Sequence, residues 1–196
     1  MSKLNKAFKL FDAYNKQDLR NFTWEGVTEP QEYFFAVKLH EWVLKLDPDA
    51  TEELLLASRS QHIGRWEIPR EDYPEGREPY LKWRKDLALH HAAIAGRLMK
   101  EAGYSEETSE RVKQIILKQR IKVDADVQTM ENALCLVFLQ LQYEDFRKKY
   151  EQEPEKIINI LRKSLLKMDG HGHQFALKLP YSENGLELID EALSRL

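Results

Sequence analysis

The chain is poor in cysteine, glycine and proline, and it has no strong excess of either charge. Its single cysteine, Cys135, excludes an intrachain disulfide and any zinc site built from several cysteines. Eight glycines and seven prolines in 196 residues leave no low-complexity segment. Thirty basic and 33 acidic residues give a formal net charge of -3, so bulk charge does not favour nucleic-acid binding. We therefore expect a cytoplasmic protein that does not bind nucleic acid.

Long apolar segments are also missing. The best uninterrupted run, Ala133 to Leu139, is far shorter than the roughly 20 residues that span a bilayer. The N-terminal segment mixes charges through its apolar positions, unlike a signal peptide. We therefore expect no association with a membrane.

Apolar residues recur at spacings of three and four, which predicts an all-α fold without a strand. The length favours one domain over residues 1–196, folded as a helical bundle. After an N-terminal helix we predict helices at about 30–47, 51–62, 80–102, 105–121, 124–150, 154–170 and 182–196. Ser105 or Thr108 would cap one of them, and Asp124 or Asp126 the next.

Residues 64–79 differ from their surroundings. The segment GRWEIPREDYPEGREP combines prolines and glycines with charges of both signs. This composition is typical of a loop. Since long loops in compact domains are often functional, we predict that residues 64–79 form a lid or rim over the site.

Four polar residues fall on otherwise apolar helix faces: His40, His62, His91 and Glu131. Neutral imidazoles and a carboxylate are suitable ligands for a divalent metal, and one metal would satisfy all four. We therefore predict a metal site of these residues that holds iron, manganese or zinc, with Glu131 and His91 also catalytic. The alternative is that each is a separate core residue, satisfied by a backbone carbonyl, a water or an arginine.

Several arginines cluster around the 64–79 loop and its flanking helices. We predict that Arg59, Arg65, Arg70 and Arg84 bind a phosphate or carboxylate group of the substrate. Salt bridges to the acidic residues of the same segment are the alternative. The basic run at 111–122 is interpreted as a solvent-exposed helix face.

The remaining histidines and the cysteine receive structural interpretations. His90 is expected at the rim of the site, and the pair His171 and His173 in a surface loop. Cys135 lies on an apolar helix face, so we expect an inert thiol in the core.

Four segments carry a resemblance to a known family: QHIGRWEIPREDYP (61–74), YLKWR (80–84), HHA (90–92) and QTMENALCLVFL (128–139). With these segments the chain resembles, from about residue 35 onwards, a domain-of-unknown-function family of bacterial and fungal proteins. Some of its members carry a glutamyl-tRNA synthetase label. A helical chain of this length has no room for a nucleotide-binding synthetase core, so we do not expect that activity.

A more distant likeness is to the HD superfamily of metal-dependent phosphohydrolases. LHEWVLKL (39–46), LLLASRSQHIGRW (54–66) and the segment 90–116 are similar to its helices in order and spacing. The resemblance implies a helical fold with a metal held by histidines and aspartates. Gln61-His62 stands where that family has His-Asp, and Glu131-Asn132 where it has a late Asp.

These observations favour a metal-dependent hydrolase that acts on a small phosphorylated metabolite or nucleotide. A metal would activate water, and the arginines would neutralise the ester. Two alternatives remain open. One is an iron-dependent oxygenase on the same fold, and the other is a non-catalytic helical module in which Trp66 and Tyr73 of the loop clamp a ligand.

Overall fold

A computed structural model describes residues 2–196. Within that range the chain forms ten α-helices and one β-hairpin, which confirms the all-α class. The elements in chain order are α1 (Lys3–Asn15), β1 (Asn21–Trp24), β2 (Val27–Pro30), α2 (Gln31–Leu46), α3 (Glu52–Ser60), α4 (Arg77–Ala102), α5 (Glu106–Ile116), α6 (Ala125–Leu141), α7 (Tyr143–Lys149), α8 (Pro154–Lys167), α9 (Gly170–Ala176) and α10 (Glu183–Ser194).

Side-chain caps set many of the helix starts. A hydroxyl or carboxylate oxygen of the capping residue accepts the backbone N–H of the residue three positions later, which satisfies a donor that the helix leaves free. This arrangement occurs at Ser2, Thr51, Ser105, Asp124, Asp169 and Ser182. Of the two predicted alternatives at each position, the structure uses Ser105 and Asp124.

The prediction that the chain has no strand is wrong at residues 21–30. Strands β1 and β2 pair in antiparallel register, with Thr23 opposite Thr28. Glu25 and Gly26 both have positive φ, 49° and 80°, which is the backbone of a tight hairpin turn. Each strand has four residues, too few to produce a recognisable alternation. Phe22 anchors the hairpin against the aromatic residues of α2.

Three helix boundaries also differ from prediction. Helix α5, expected to reach about residue 121, ends at Ile116. The helix expected at 124–150 is interrupted at Gln142, where Tyr143 turns into the core and its hydroxyl donates to the carbonyl of Gly185 at 2.8 Å. The segment after α8 forms the separate helix α9, whose N-terminus Asp169 caps. At Gln142 a long-range contact overrides the local pattern.

The predicted loop at 64–79 is shorter and more ordered than expected. It contains two 3-10 turns, at Arg65–Glu67 and Arg70–Asp72, and α4 already begins at Arg77. Arg70 donates to the carbonyls of Tyr73 and Pro74, so its guanidinium organises the loop itself.

The helices enclose one connected apolar core. Helix α2 packs against α3 and α6, α4 packs against α1 and α5, and α8 packs against α10. Helix α3 lies among α1, α2 and α5 and has Leu54, Leu56 and Ala57 fully buried. Its last turn therefore delivers the following residues to the junction with α4 and α5. Among residues 2–196, no helix has the length and hydrophobicity needed to cross a membrane.

Candidate functional site

A cavity of about 490 Å³ lies where α3 ends, between the first half of α4 and the end of α5. We call it the cationic cavity, because its lining contains no aspartate or glutamate and four basic residues: Arg65, Arg84, Lys85 and Lys118. Gln61, His62 and His91 add polar groups, and Tyr80, Leu81 and Leu89 add apolar surface. The cavity is of the size that holds a small molecule.

The turn after α3 depends on Gly64. Its φ of +71° lies in the left-handed region, which glycine adopts without strain. A Cβ at this position would come within 2.4 Å of Cδ1 of Ile94, so the close approach of the turn to α4 also requires glycine. His62 and Arg65, which flank this turn in the sequence, both line the cavity.

His91 is fixed by this turn. Its ring is 2% exposed, and Nδ1 lies 2.6 Å from the carbonyl oxygen of Ile63, to which it donates. Burial lowers the pKa of His91 to about 3, so the ring is neutral near pH 7. Nε2 is then an acceptor, and it has no hydrogen-bond partner among the described residues. A buried acceptor without a partner carries a free-energy cost that a ligand or water can relieve.

His62 lies beside His91, with the two ring centroids 5.8 Å apart. Burial first, and then the charge of Arg65, hold the pKa of His62 well below its usual value. Gln61 donates to the carbonyl of Ile116 at 3.0 Å, and its Oε1 is buried without a partner. The inner wall of the cavity thus offers neutral imidazoles and a free amide oxygen, which suits a ligand that carries an O–H or N–H donor.

The cations at the mouth have few acidic partners. Arg84 donates to the hydroxyl of Tyr80 at 3.1 Å, and neither Arg84 nor Lys85 forms an ion pair with a described residue. Arg65 lies 5.5 Å from the ring centroid of Trp83, and the one ion pair that it forms within residues 2–196 is with Glu32, at 3.9 Å. Positive charge is therefore left uncompensated on this side of the molecule.

Lys118 joins the cavity to the core. Its φ of 55° is unusual for a residue with a side chain, and it occupies the left-handed position that ends α5. Its Nζ lies 2.6 Å from Oε2 of Glu131, which is 3% exposed. Lys167 approaches the other oxygen of Glu131 at 3.6 Å. Glu131 is therefore neutralised by lysines.

A second cavity of about 370 Å³ adjoins the first, because His62 and Arg65 line both. We call it the Glu32 cavity. The carboxylate of Glu32 accepts from Arg20 at 3.0 Å, and burial raises its pKa. Arg20 also forms a bidentate pair with the buried Asp18. Positive charge is matched by acid on this side of the shared wall.

The four predicted metal ligands do not converge. His62 and His91 are neighbours, whereas Nδ1 of His40 donates to the hydroxyl of Ser58 at 2.9 Å and Glu131 contacts lysines. Within residues 2–196, no group of three or more His, Cys, Asp and Glu side chains is placed to hold a metal. The residues present therefore do not fit a metal with three or more protein ligands, the number usual at catalytic zinc sites.

The predicted arginines also separate. Arg65 and Arg84 line the cationic cavity. Nη2 of Arg59 donates to both carboxylate oxygens of Asp12, at 2.5 and 2.6 Å, next to the ring of Phe8, because α3 packs against α1 there. Arg70 belongs to the loop, as described above.

The remaining predicted residues have structural partners. Nε2 of His90, expected at the rim, lies 2.7 Å from Oε2 of Glu67, and His90 does not line the cationic cavity. His171 and His173, expected in a surface loop, lie on α9, where each Nε2 faces a backbone carbonyl. The thiol of Cys135 is buried in the core, and burial raises its pKa to about 12.

The aromatic clamp is also placed elsewhere. Trp66 packs near Tyr14, and the hydroxyl of Tyr73 donates to Asp86. Neither residue lines the cationic cavity.

Five residues that line the cavity are not identified from the sequence. Four of them lie on exposed positions of α4, outside the apolar face that the sequence predicts to be buried: Tyr80, Leu81, Lys85 and Leu89. Lys118 belongs to the basic run at 111–122, which the sequence pattern indicates to be a solvent-exposed helix face. The repeated pairs at 80/81, 84/85 and 88/89 are the signal that would have indicated a common helix face.

Comparisons with known proteins add one finding. The family model described as "Domain of unknown function (DUF4202)" matches residues 5–189. No curated protein matches the chain. No solved structure matches it either, so the distant likeness to the HD superfamily stays a prediction.

Proposed function

The chain belongs to the DUF4202 family, whose description states no activity, and from its geometry we propose that the protein binds a small phosphorylated molecule in the cationic cavity. The observation that carries this proposal is the lining itself, which has four basic residues and no acid. Arginine and lysine side chains bind phosphate through charge-assisted hydrogen bonds. Arg84 and Lys85 need no rearrangement of an existing ion pair to do so.

The inner wall supports the same class of ligand. Nε2 of His91 and Oε1 of Gln61 are buried acceptors, and the neutral state of His91 keeps Nε2 an acceptor near pH 7. A phosphate in its monoprotonated form, or a neighbouring hydroxyl, supplies the missing donor. A carboxylate is fully ionised at neutral pH, whereas a phosphate ester, whose second pKa is about 6, keeps a singly protonated fraction that can donate, so a phosphate ester fits better.

The test is binding of inorganic phosphate, pyrophosphate and phenyl phosphate, measured by calorimetric titration or chemical-shift perturbation. We expect all three to bind, more weakly at higher salt. The double variant Arg84→Ala/Lys85→Ala should lose at least about tenfold in affinity, since each side chain contributes a charged hydrogen bond. Lys163→Ala, on an exposed position of α8, is the matched control. Absence of binding to the native protein, or equal loss in the control, overturns the proposal.

A hydrolytic role is a second candidate, and one observation favours it. Nδ1 of His91 donates to a backbone carbonyl, and its Nε2 is left free beside His62. Metal-ligating histidines are commonly held in this way. Two imidazoles alone do not make a usual catalytic site, so the ligand's own phosphate would have to complete it. A bound metal would polarise that phosphate.

Metal content decides this candidate. Elemental analysis measures the metal content of the purified native protein, with and without a phosphate ester. The same measurement is made on the variants His62→Ala and His91→Ala. Near-stoichiometric zinc or manganese that both substitutions remove would support hydrolysis, and iron would favour the oxygenase alternative. No metal after reconstitution leaves a non-catalytic binding module.

A further inference from the structure

The outer face of α4 has an unusual order of side chains where it lines the cationic cavity. Tyr80 and Leu81 are followed one turn later by Arg84 and Lys85, and one turn after that by Ala88 and Leu89. Residues four apart share a helix face, so these pairs form three successive rungs. A charged rung lies between two apolar rungs.

The apolar rungs are exposed. Tyr80 is 40% exposed, Leu81 is 54% exposed and Leu89 is 45% exposed, and all three line the same cavity. Single exposed leucines are ordinary on protein surfaces, but a concentration of them around a polar site is typical of ligand binding. The described residues leave at least 40% of each of these three residues open to solvent.

From this arrangement we propose that the ligand is an amphiphilic phosphate ester, whose phosphate contacts the charged rung and whose alkyl or aromatic group packs on Tyr80, Leu81 and Leu89. The inference rests on the proposed function and specifies its ligand class. A strongly polar ligand such as a sugar phosphate would leave the apolar rungs exposed. An apolar substituent removes them from water and gains affinity with each carbon buried.

The experiment is a titration with a homologous series: inorganic phosphate, ethyl phosphate, butyl phosphate and octyl phosphate, the last used below micelle formation. Burial of a methylene is worth up to about fourfold in affinity, so we expect a rise of roughly two- to fourfold per carbon over the first few carbons. The variant Leu81→Ser/Leu89→Ser should flatten the series, measured as the ratio of the affinities for butyl phosphate and ethyl phosphate.

The chain offers a matched control. Leu166 and Leu177 are 46% and 51% exposed and lie outside the cavity, so Leu166→Ser/Leu177→Ser should keep the native slope. A flat series in the native protein, with phosphate binding intact, overturns this inference and leaves the proposed function standing. Failure of every phosphate to bind ends both.

A lipid surface offers the same chemistry from another source. Flotation with vesicles of phosphatidylcholine containing phosphatidic acid distinguishes binding to a lipid surface from binding of a dissolved phosphate ester. Binding of octyl phosphate without vesicle binding is the expected result. Vesicle binding that requires Leu81 and Leu89, without binding of dissolved octyl phosphate, overturns the proposal in favour of membrane attachment.

Discussion

The two cavities share a wall of His62 and Arg65 but differ in charge. On one side, Glu32 accepts from Arg20 and lies 3.9 Å from Arg65. On the other side, neither Arg84 nor Lys85 forms an ion pair with a described residue, and no acid lines the cavity. The difference shows that the position of the acids, and not the number of arginines, decides which cavity is suited to an anion.

The same lesson applies to the arginines predicted from the sequence. Arg59 has a favourable partner in Asp12, so its charge is already used within the fold. Arg84 has a tyrosine hydroxyl, which leaves its charge uncompensated. A charged group contributes to binding when folding leaves its charge free, and sequence position alone does not report this.

The largest expected effect is a loss of stability on substitution of Gly64, in the turn between the two residues of the shared wall. Gly64→Ala adds a methyl group 2.4 Å from Ile94 at a φ of +71°. Backbone strain and overpacking together should lower the free energy of unfolding by about 2–4 kcal/mol. Urea denaturation followed by circular dichroism measures this loss.

Gly26→Ala provides the control for strain alone. Its φ is +80°, but nothing lies within 4 Å of the added methyl group. We expect a loss of about 1 kcal/mol there. If the two variants are equally destabilised, the close approach of the turn to α4 is not what holds His62 and Arg65 in place.

A second prediction concerns pH and the buried imidazole of the wall. In the unfolded chain histidine takes up a proton below about pH 6.5, whereas folded His91 stays neutral down to about pH 3. Its contribution to stability is therefore complete above pH 6.5 and is lost as the pH falls from there towards 3. Between pH 7 and pH 5 this amounts to about 2 kcal/mol.

The measurement compares native protein with His91→Asn, whose amide can still donate to the carbonyl of Ile63. His40 and His62 also have lowered pKa values, so the native protein loses more than this single contribution. The loss of unfolding free energy from pH 7 to pH 5 should be about 2 kcal/mol smaller in the variant. An equal loss in both proteins would mean that His91 takes up protons as readily folded as unfolded.

The fold was largely predictable from the sequence, and the site only in part. Capping residues such as Ser105 and Asp124 act locally, and local patterns report them well. The break at Gln142 depends on Tyr143 reaching a carbonyl 42 residues away, which no local pattern contains. His91 was identified because one helix face shows its burial, but whether Glu131 faces a metal or a lysine depends on how two helices meet.

A third prediction sharpens the contrast between the cavities. Glu32→Gln removes the buried carboxylate that faces Arg65 and Arg20, so their charge becomes available at the shared wall. Phosphate binding in the cationic cavity should tighten by about threefold at low salt and less at high salt, since Arg65 is partly exposed. Calorimetric titration at two salt concentrations measures this. Unchanged or weaker binding would mean that the charge of Arg65 does not reach the cationic cavity.

The smallest expected effect lies at the end of α5. Gly103 directly follows α4 and has φ +96°. Lys118 follows the end of α5 with the same pattern of backbone hydrogen bonds and has φ 55°. Glycine is the residue that this position favours, so Lys118 carries a conformational cost that its ammonium group offsets at Glu131 and at the cavity. Lys118→Gly and Lys118→Ala both remove the ammonium, but only the glycine relieves the backbone. The glycine variant should therefore be more stable than the alanine variant by about 0.5–1 kcal/mol, and both should bind phosphate equally weakly. If the glycine variant binds as tightly as the native protein, Lys118 is a helix end and does not belong to the ligand site.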